Sequence, residues 1–337
     1  MSDLRQDPVS GDWIIMAPER AKRLNQLIKN RKRKLDDIKK CPFEDLKKTG
    51  NWPPILVWDG KKILSDLNSN SDKSWQIVLI PNKYPALKHN DNLCATNFKN
   101  GPFNLKSGTG VHNLIVFKNH FKGLADLNFS DFFAAFLMLQ KHYLDLSKDK
   151  CLIYTSTFCN YGAQAGASLS HLHFQVLTLP IIPPDINSSL NGSKKYFQKN
   201  KKCIHCDMIK FDLTENKRII FKNNNALAIT PFISRTPFEI RIFPLKHIAN
   251  FEKTPLNDLK SVIEALHFSL KQIKSKLGDP DLNFFIHTAP LKDGKYNYYH
   301  WHIEILPKIS TLGGFEISTG IEINVFDPYA AAKILKK

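Results

Sequence analysis

Polar and apolar residues alternate along His171-Leu-His-Phe-Gln-Val-Leu-Thr-Leu179, the period of a half-buried strand. His171, His173 and Gln175 fall on one face; Leu172, Phe174 and Val176 fall on the other, the face a core would take. Comparable runs predict strands at 12–17, 55–58, 75–81, 112–117, 151–159, 218–221, 226–230, 238–243, 282–287 and 297–306. Helical spacing of Phe132, Phe133, Phe136, Leu137, Tyr143 and Leu144 predicts a helix over 130–146 capped by Ser130. Leu259, Ile263, Leu266, Leu270 and Ile273 predict a second, capped by Thr254 with Pro255 at its first position. Residues 180–200, rich in Pro, Asn, Ser and Lys, read as a linker.

The order of these elements repeats. Each half runs through a cysteine motif, a strand, a histidine, a helix, a strand and a strand carrying His-x-His. The histidines are spaced from 120 to 171 and from 247 to 300, intervals of 51 and 53 residues. A duplicated α+β unit with antiparallel sheets follows, split into 1–182 and 183–337. Gln175 of the first copy stands where Glu304 stands in the second.

Cys203-Ile-His-Cys206 with His247 and His300 forms a Cys₂His₂ set, the composition of a closed zinc site. The repeat matches it to Cys41, Glu44, His120 and His171. Glutamate can ligate zinc, so a Cys-Glu-His-His site is one reading and a weak or empty site the other. Cys94, Cys151 and Cys159 fit ordinary buried thiols.

Before the His-x-His strand, Gly162, Gly166 and Ser168 form a run suited to close backbone approach to an anion. A nucleophile beside a phosphate site is the reading; the alternative is a solvated edge strand after a flexible loop. The formal net charge of +17 admits nucleic acid or an anionic small substrate. The basic runs 20–40 and 194–202 lack the aromatic interleaving of a base-stacking platform, so no nucleic-acid partner is expected. Arg20 and Arg23, three apart, can fork onto phosphate oxygens. No apolar run nears the ~20 residues that span a bilayer. A Cys-x-x-Cys with histidines elsewhere favours metal in a reducing compartment, and the cytoplasm is the expectation.

Asn160-x-Gly-x-x-x-Gly-x-Ser-x-x-His-x-His-x-Gln resembles the active-site motif of galactose-1-phosphate uridylyltransferases, of the histidine-triad superfamily. DPVSGDWIIMAPERAKR, CPFE, PNKYPAL, HTAP, HWHIEILP and GGFEISTGIEIN resemble further blocks of bacterial members, nearly along the whole chain. The resemblance implies a transferase acting on UDP-glucose and galactose 1-phosphate in galactose metabolism, by ping-pong chemistry. His173 would become uridylylated and Gln175 would bond the phosphate oxygens. Asn160, Gly162, Gly166 and Ser168 would line phosphates and ribose, and Asn82 the nucleoside. Arg20 and Arg23 would come from the partner of a homodimer. His120 and His171 would hold a first zinc with Cys41. The second half would be a non-catalytic copy, with a second zinc as in the related plant ADP-glucose phosphorylases. Two departures bear on the acceptor: Glu316 matches the family's hexose-phosphate block, but a lysine is missing and Glu322 stands near where a glutamine is usual. A nucleotide-sugar phosphorylase or hydrolase of the same fold is the alternative, and a basic nucleic-acid-binding protein a further one.

Overall fold

The computed structural model describes residues 1–20, 35–65, 75–89, 94–292, 294 and 296–336. The chain opens with β1 (Asp3–Gln6) and β2 (Trp13–Met16). It continues through β3 (Leu56–Trp58), β4 (Ile63–Leu64), β5 (Ile77–Pro81), the hairpin β6 (Asn97–Asn100) and β7 (Phe103–Lys106), and β8 (Val111–Phe117). Helix α1 (Phe129–Leu146), β9 (Tyr154–Tyr161) and β10 (His173–Leu179) complete the first half. The second half holds α2 (Pro184–Asn200), α3 (Ile204–Glu215), β11 (Ile219–Lys222), β12 (Ala226–Ile229), β13 (Ile240–Pro244) and α4 (Leu256–Leu277). It ends with β14 (Leu282–His287), β15 (His302–Pro307), α5 (Gly314–Thr319), β16 (Glu322–Asn324) and α6 (Pro328–Leu335).

Eleven strands form one antiparallel sheet in the order β11-β12-β13-β15-β14-β9-β10-β8-β5-β3-β4. Outward from the central β14–β9 pair, β15, β13 and β12 on one side mirror β10, β8 and β5 on the other. The repeat is therefore real, and its copies share backbone hydrogen bonds rather than merely touching. Helices α1 and α4 cover one face. Phe132 and Phe136 meet Phe174, and Phe174 meets Phe284 edge-on at 5.0 Å, so one apolar core crosses the junction. Burying such aromatics supplies the largest share of a core's apolar area. The opposite face carries the polar residues of β10 and β15, and there His205 of α3 packs against His302 while Ile186 and Leu190 of α2 pack with Tyr154.

Several sequence expectations are corrected. Residues 180–200 are not a linker: α2 spans most of them. Its buried stripe is only Ile186, Leu190 and Ser193, spaced four and three apart, within a polar composition that hides the period. The cap of α1 is Asn128, whose side chain accepts from Asp131 N–H at 2.8 Å, rather than Ser130. Pro255, not Thr254, occupies the cap position of α4. Cys94 and Cys151, read as free thiols, form a disulfide that ties the segment before β6 to the approach to β9. The expected boundary at 182/183 falls between β10 and α2. No described helix is long and apolar enough to cross a membrane.

Candidate active site

The loop from β9 to β10 is shaped from both halves. Gly162 and Gly166 have φ of +89° and +83°, a region that side chains rarely enter. Between them Ala163–Ala165 makes one 3₁₀ turn. Gln164 N–H donates to Asp281 Oδ2 at 2.7 Å. Asn283, on β14, donates to Asn160 Oδ1 at 2.9 Å and to the carbonyl of Ala165 at 2.8 Å. Ser168 is exposed beyond the turn.

His173 opens β10 and is buried. Its Nδ1 lies 2.9 Å from the carbonyl of His171. A carbonyl only accepts, so Nδ1 carries the proton and Nε2 keeps its lone pair. Phe43 packs edge-on against the ring at 5.3 Å. Burial holds the imidazole below its ordinary pKa and so keeps it neutral. Gln175, two residues on, meets His112 Nε2 through Oε1 at 3.1 Å. Asn82 lies beside the same imidazole. Sequence reasoning missed His112; only the β8–β10 register brings it to Gln175, and the residue pattern carries no signal of that.

The other expected ligand contacts are not gathered here. Arg20 is exposed after β2, and Arg23 lies outside the described residues. Glu316 is turned back on its own helix, where Oε2 accepts from Gly313 N–H at 2.9 Å. Glu322 lies on β16, where burial pushes its carboxyl up against the opposing pull of Arg235. Among the described contacts none joins these residues to His173 or Gln175.

Both predicted metal sets assemble. In the first, His120 and His171 turn their Nε2 atoms to the carbonyls of Asp36 (3.0 Å) and Phe117 (2.5 Å). Their Nδ1 lone pairs then face each other at 3.2 Å, with Cys41 Sγ 3.3 Å from His171 Nδ1 and Glu44 Oε1 2.9 Å from His120 Nδ1. Two lone pairs cannot bond each other; a cation between them resolves the contact. Backbone carbonyls on the far nitrogens are the usual outer partners of metal-bound imidazoles. Glu44 takes the place of the second cysteine. In the second set, His300 Nε2 reaches the carbonyl of Pro244 at 3.0 Å, while Cys206 Sγ lies 3.2 Å from His247 Nδ1 and 3.5 Å from His300 Nδ1. Hydrogen bonding from Cys206 and the surrounding imidazoles lowers the Cys203 thiol. Sulfur and imidazole donors converging in this way fit zinc.

The second copy has been rebuilt around charge. Gln175 pairs across to Leu114, whereas Glu304 pairs across to Arg241. Arg241 Nε lies 3.1 Å from Glu304 and 3.0 Å from Glu239, and Arg235 also contacts Glu304. Burial alone would push the Glu304 carboxyl up; Arg235, Arg241 and His287 overcome it and hold it well below the usual range. An ionised carboxylate donates no hydrogen bond and repels a phosphoryl oxygen. Beside His302 the second copy thus lacks the donor that Gln175 provides beside His173.

A family model described as "Galactose-1-phosphate uridyl transferase, N-terminal domain" matches residues 1–183, and a domain-of-unknown-function model, DUF4921, matches 103–337. The chain is 32% identical to an ADP-glucose phosphorylase of Arabidopsis thaliana, covering 99% of this chain and 92% of that one. It is 24% identical to a galactose-1-phosphate uridylyltransferase of Thermotoga maritima, covering 100% and 98%. The crystal structure of an ADP-glucose phosphorylase from A. thaliana with bound ADP-glucose superimposes with a TM-score of 0.81 at 29% identity, over 100% of this chain and 99% of that one. A uridylyltransferase structure gives 0.74 at 23%, over 100% and 97%, a likeness of fold.

Proposed function

The chain belongs to the galactose-1-phosphate uridyl transferase family, and from that premise we propose that it moves a nucleoside monophosphate from a nucleotide sugar to a phosphate acceptor through His173. The carrying observation is the 2.9 Å contact of Nδ1 with the His171 carbonyl, which leaves Nε2 as the nucleophile. Nε2 attacks the α-phosphorus, a P–N bond forms, and the sugar 1-phosphate leaves with the electrons of the broken P–O bond. An acceptor phosphate oxygen then attacks the same phosphorus and expels Nε2. The His171 carbonyl steadies the cationic imidazole of the intermediate, and Gln175 donates to a non-bridging oxygen without charge repulsion. Asn160, Gly162, Gly166 and Ser168 lie on the approach to that phosphorus, and Asn82 takes the nucleoside side. Cys41, Glu44, His120 and His171, and Cys203, Cys206, His247 and His300, would each hold a zinc ion that would fix the segments around them. A homodimer would let Arg20 and Arg23 serve the partner's phosphates.

Two acceptors remain in play. Galactose 1-phosphate, with UDP-glucose as donor, is the reading of the sequence motif. Inorganic phosphate, with ADP-glucose as donor, has better support: the Arabidopsis phosphorylase is the more similar relative, and Glu316, the residue matching the hexose-phosphate block, caps its own helix. Incubating the protein with UDP-glucose or ADP-glucose labelled at the α-phosphorus should leave label on the wild type and none on His173→Gly. Presenting the labelled enzyme with phosphate, galactose 1-phosphate or water then identifies the acceptor by its product. A wild type that takes label from neither donor would refute the covalent reading.

A further inference from the structure

The turn after β5 faces the proposed site, and beyond Asn82 it has no part in the chemistry above. Its Ala86 N–H donates to His112 Nδ1 at 3.1 Å. A backbone N–H can only donate, so Nδ1 is the bare nitrogen, and in the neutral ring Nε2 carries the proton. Burial depresses the His112 pKa, in keeping with a neutral ring. Nε2 lies 3.1 Å from Gln175 Oε1, an acceptor. Asn82 does not compete in the ring plane. Its Oδ1 accepts from Tyr84 N–H at 3.0 Å, which turns Nδ2 to the imidazole. That Nδ2 lies 3.2 Å and 3.5 Å from the two ring nitrogens. An in-plane atom at both distances would collide with Cε1, so the amide sits over the ring face.

We propose that His112 is a positioning residue for nucleotidyl transfer: its Nε2–H, fixed as the donor by Ala86, pins Gln175 Oε1 and leaves the Gln175 amide N–H to the phosphoryl group. No described residue accepts from that amide nitrogen. An unpinned glutamine presents oxygen or nitrogen with little preference, and oxygen toward a phosphate is repulsive. The chain of orientation runs from the backbone of the 82–87 turn, through one tautomer, to the rotamer of one amide. This inference rests on His173 being the nucleophile.

The test is a double-mutant cycle on formation of the nucleotidyl enzyme, followed by intact mass in single turnover with UDP-glucose and ADP-glucose. His112→Phe should slow adduct formation by roughly a hundredfold, the loss expected when one oriented donor is removed. Binding of the nucleotide sugar should change by less than about threefold. In a Gln175→Ala background the same substitution should cost nothing more, because its only route of action is gone. A His112→Phe rate equal to wild type, or an equal loss in both backgrounds, overturns the proposal. Nitrogen NMR of the wild type reads the tautomer directly: a bare Nδ1 on His112 supports the proposal, and a protonated Nδ1 overturns it even if His112→Phe fails to fold. A wild type that forms no adduct refutes the His173 reading and this inference together, whereas a normal adduct on His112→Phe refutes only the inference.

Discussion

Gly162 and Asp281 are packed so closely that a Cβ on the glycine would lie 2.0 Å from Asp281 Oδ1. Asp281 directly precedes β14, and the same carboxylate accepts from Gln164 N–H. The second copy serves as the mould for the loop of the first.

Gly162→Ala meets two obstacles. Its φ of +89° is strained for any side chain, costing about 1–3 kcal/mol, and Asp281 must give way. Denaturant unfolding should show a loss in that range. Single-turnover adduct formation should slow by at least roughly tenfold, the price of misplaced reacting groups. An alanine variant matching wild type in both would mean the loop does not need the contact.

The metal clusters predict a stoichiometry. Zinc analysis should return two equivalents per chain, and Cys206→Ser should remove one, with a lower melting temperature, because structural zinc contributes folding energy. Glu44→Cys restores the commoner sulfur donor next to Cys41, His120 and His171, and should slow zinc loss to a chelator at the first cluster. Faster loss from Glu44→Cys would show that the carboxylate is the better fit there.

The sequence carried the parts of this site that obey a local period. His173 and Gln175 are two apart on a strand, Cys203 and Cys206 three apart at the start of α3, and the recurrence of both order and spacing exposed the duplication. Contacts set by register or by distant chain were invisible. His112 reaches Gln175 only because β8 lies beside β10. Asp281 and Asn283 reach the loop only because the copies join at β14 and β9. Helix α2 escaped because two apolar side chains suffice to seat it, and the Cys94–Cys151 bond because neither residue has a spacing that names its partner. Glu304 was recognised as the counterpart of Gln175, but the arginines that decide its charge, Arg235 and Arg241, are not neighbours in sequence.

The pH dependence of labelling follows from burial of His173. Its folded pKa lies below the ordinary imidazole value of about 6.5, and the neutral form is the nucleophile. Adduct formation should therefore stay level from pH 8 to about 6.5 and decline only at more acid pH. A decline that begins above pH 6.5 in single-turnover measurements would mean that this imidazole is not depressed.

A second pH effect concerns stability and is independent of the site. His142, on α1, is buried, and its Nε2 accepts from Asn113 Nδ2 at 2.9 Å. Burial lowers its pKa to about 4. The unfolded chain titrates near 6.5, so between those values the unfolded state holds more protons than the folded one. The contribution of the neutral ring is complete above pH 6.5 and is lost progressively as pH falls toward 4, on the order of 3 kcal/mol in all and about 2 kcal/mol by pH 5. His205 and His287, lowered by burial to about 4 and about 3, add to the same slope, so wild type alone does not isolate one ring. His142→Gln retains an acceptor for Asn113 and removes the titration. Urea unfolding at pH 7.5 and pH 5 should show the variant losing about 2 kcal/mol less than wild type between the two. Parallel losses in the two proteins would mean that the ring is already charged, or the site already open to water, in the folded state.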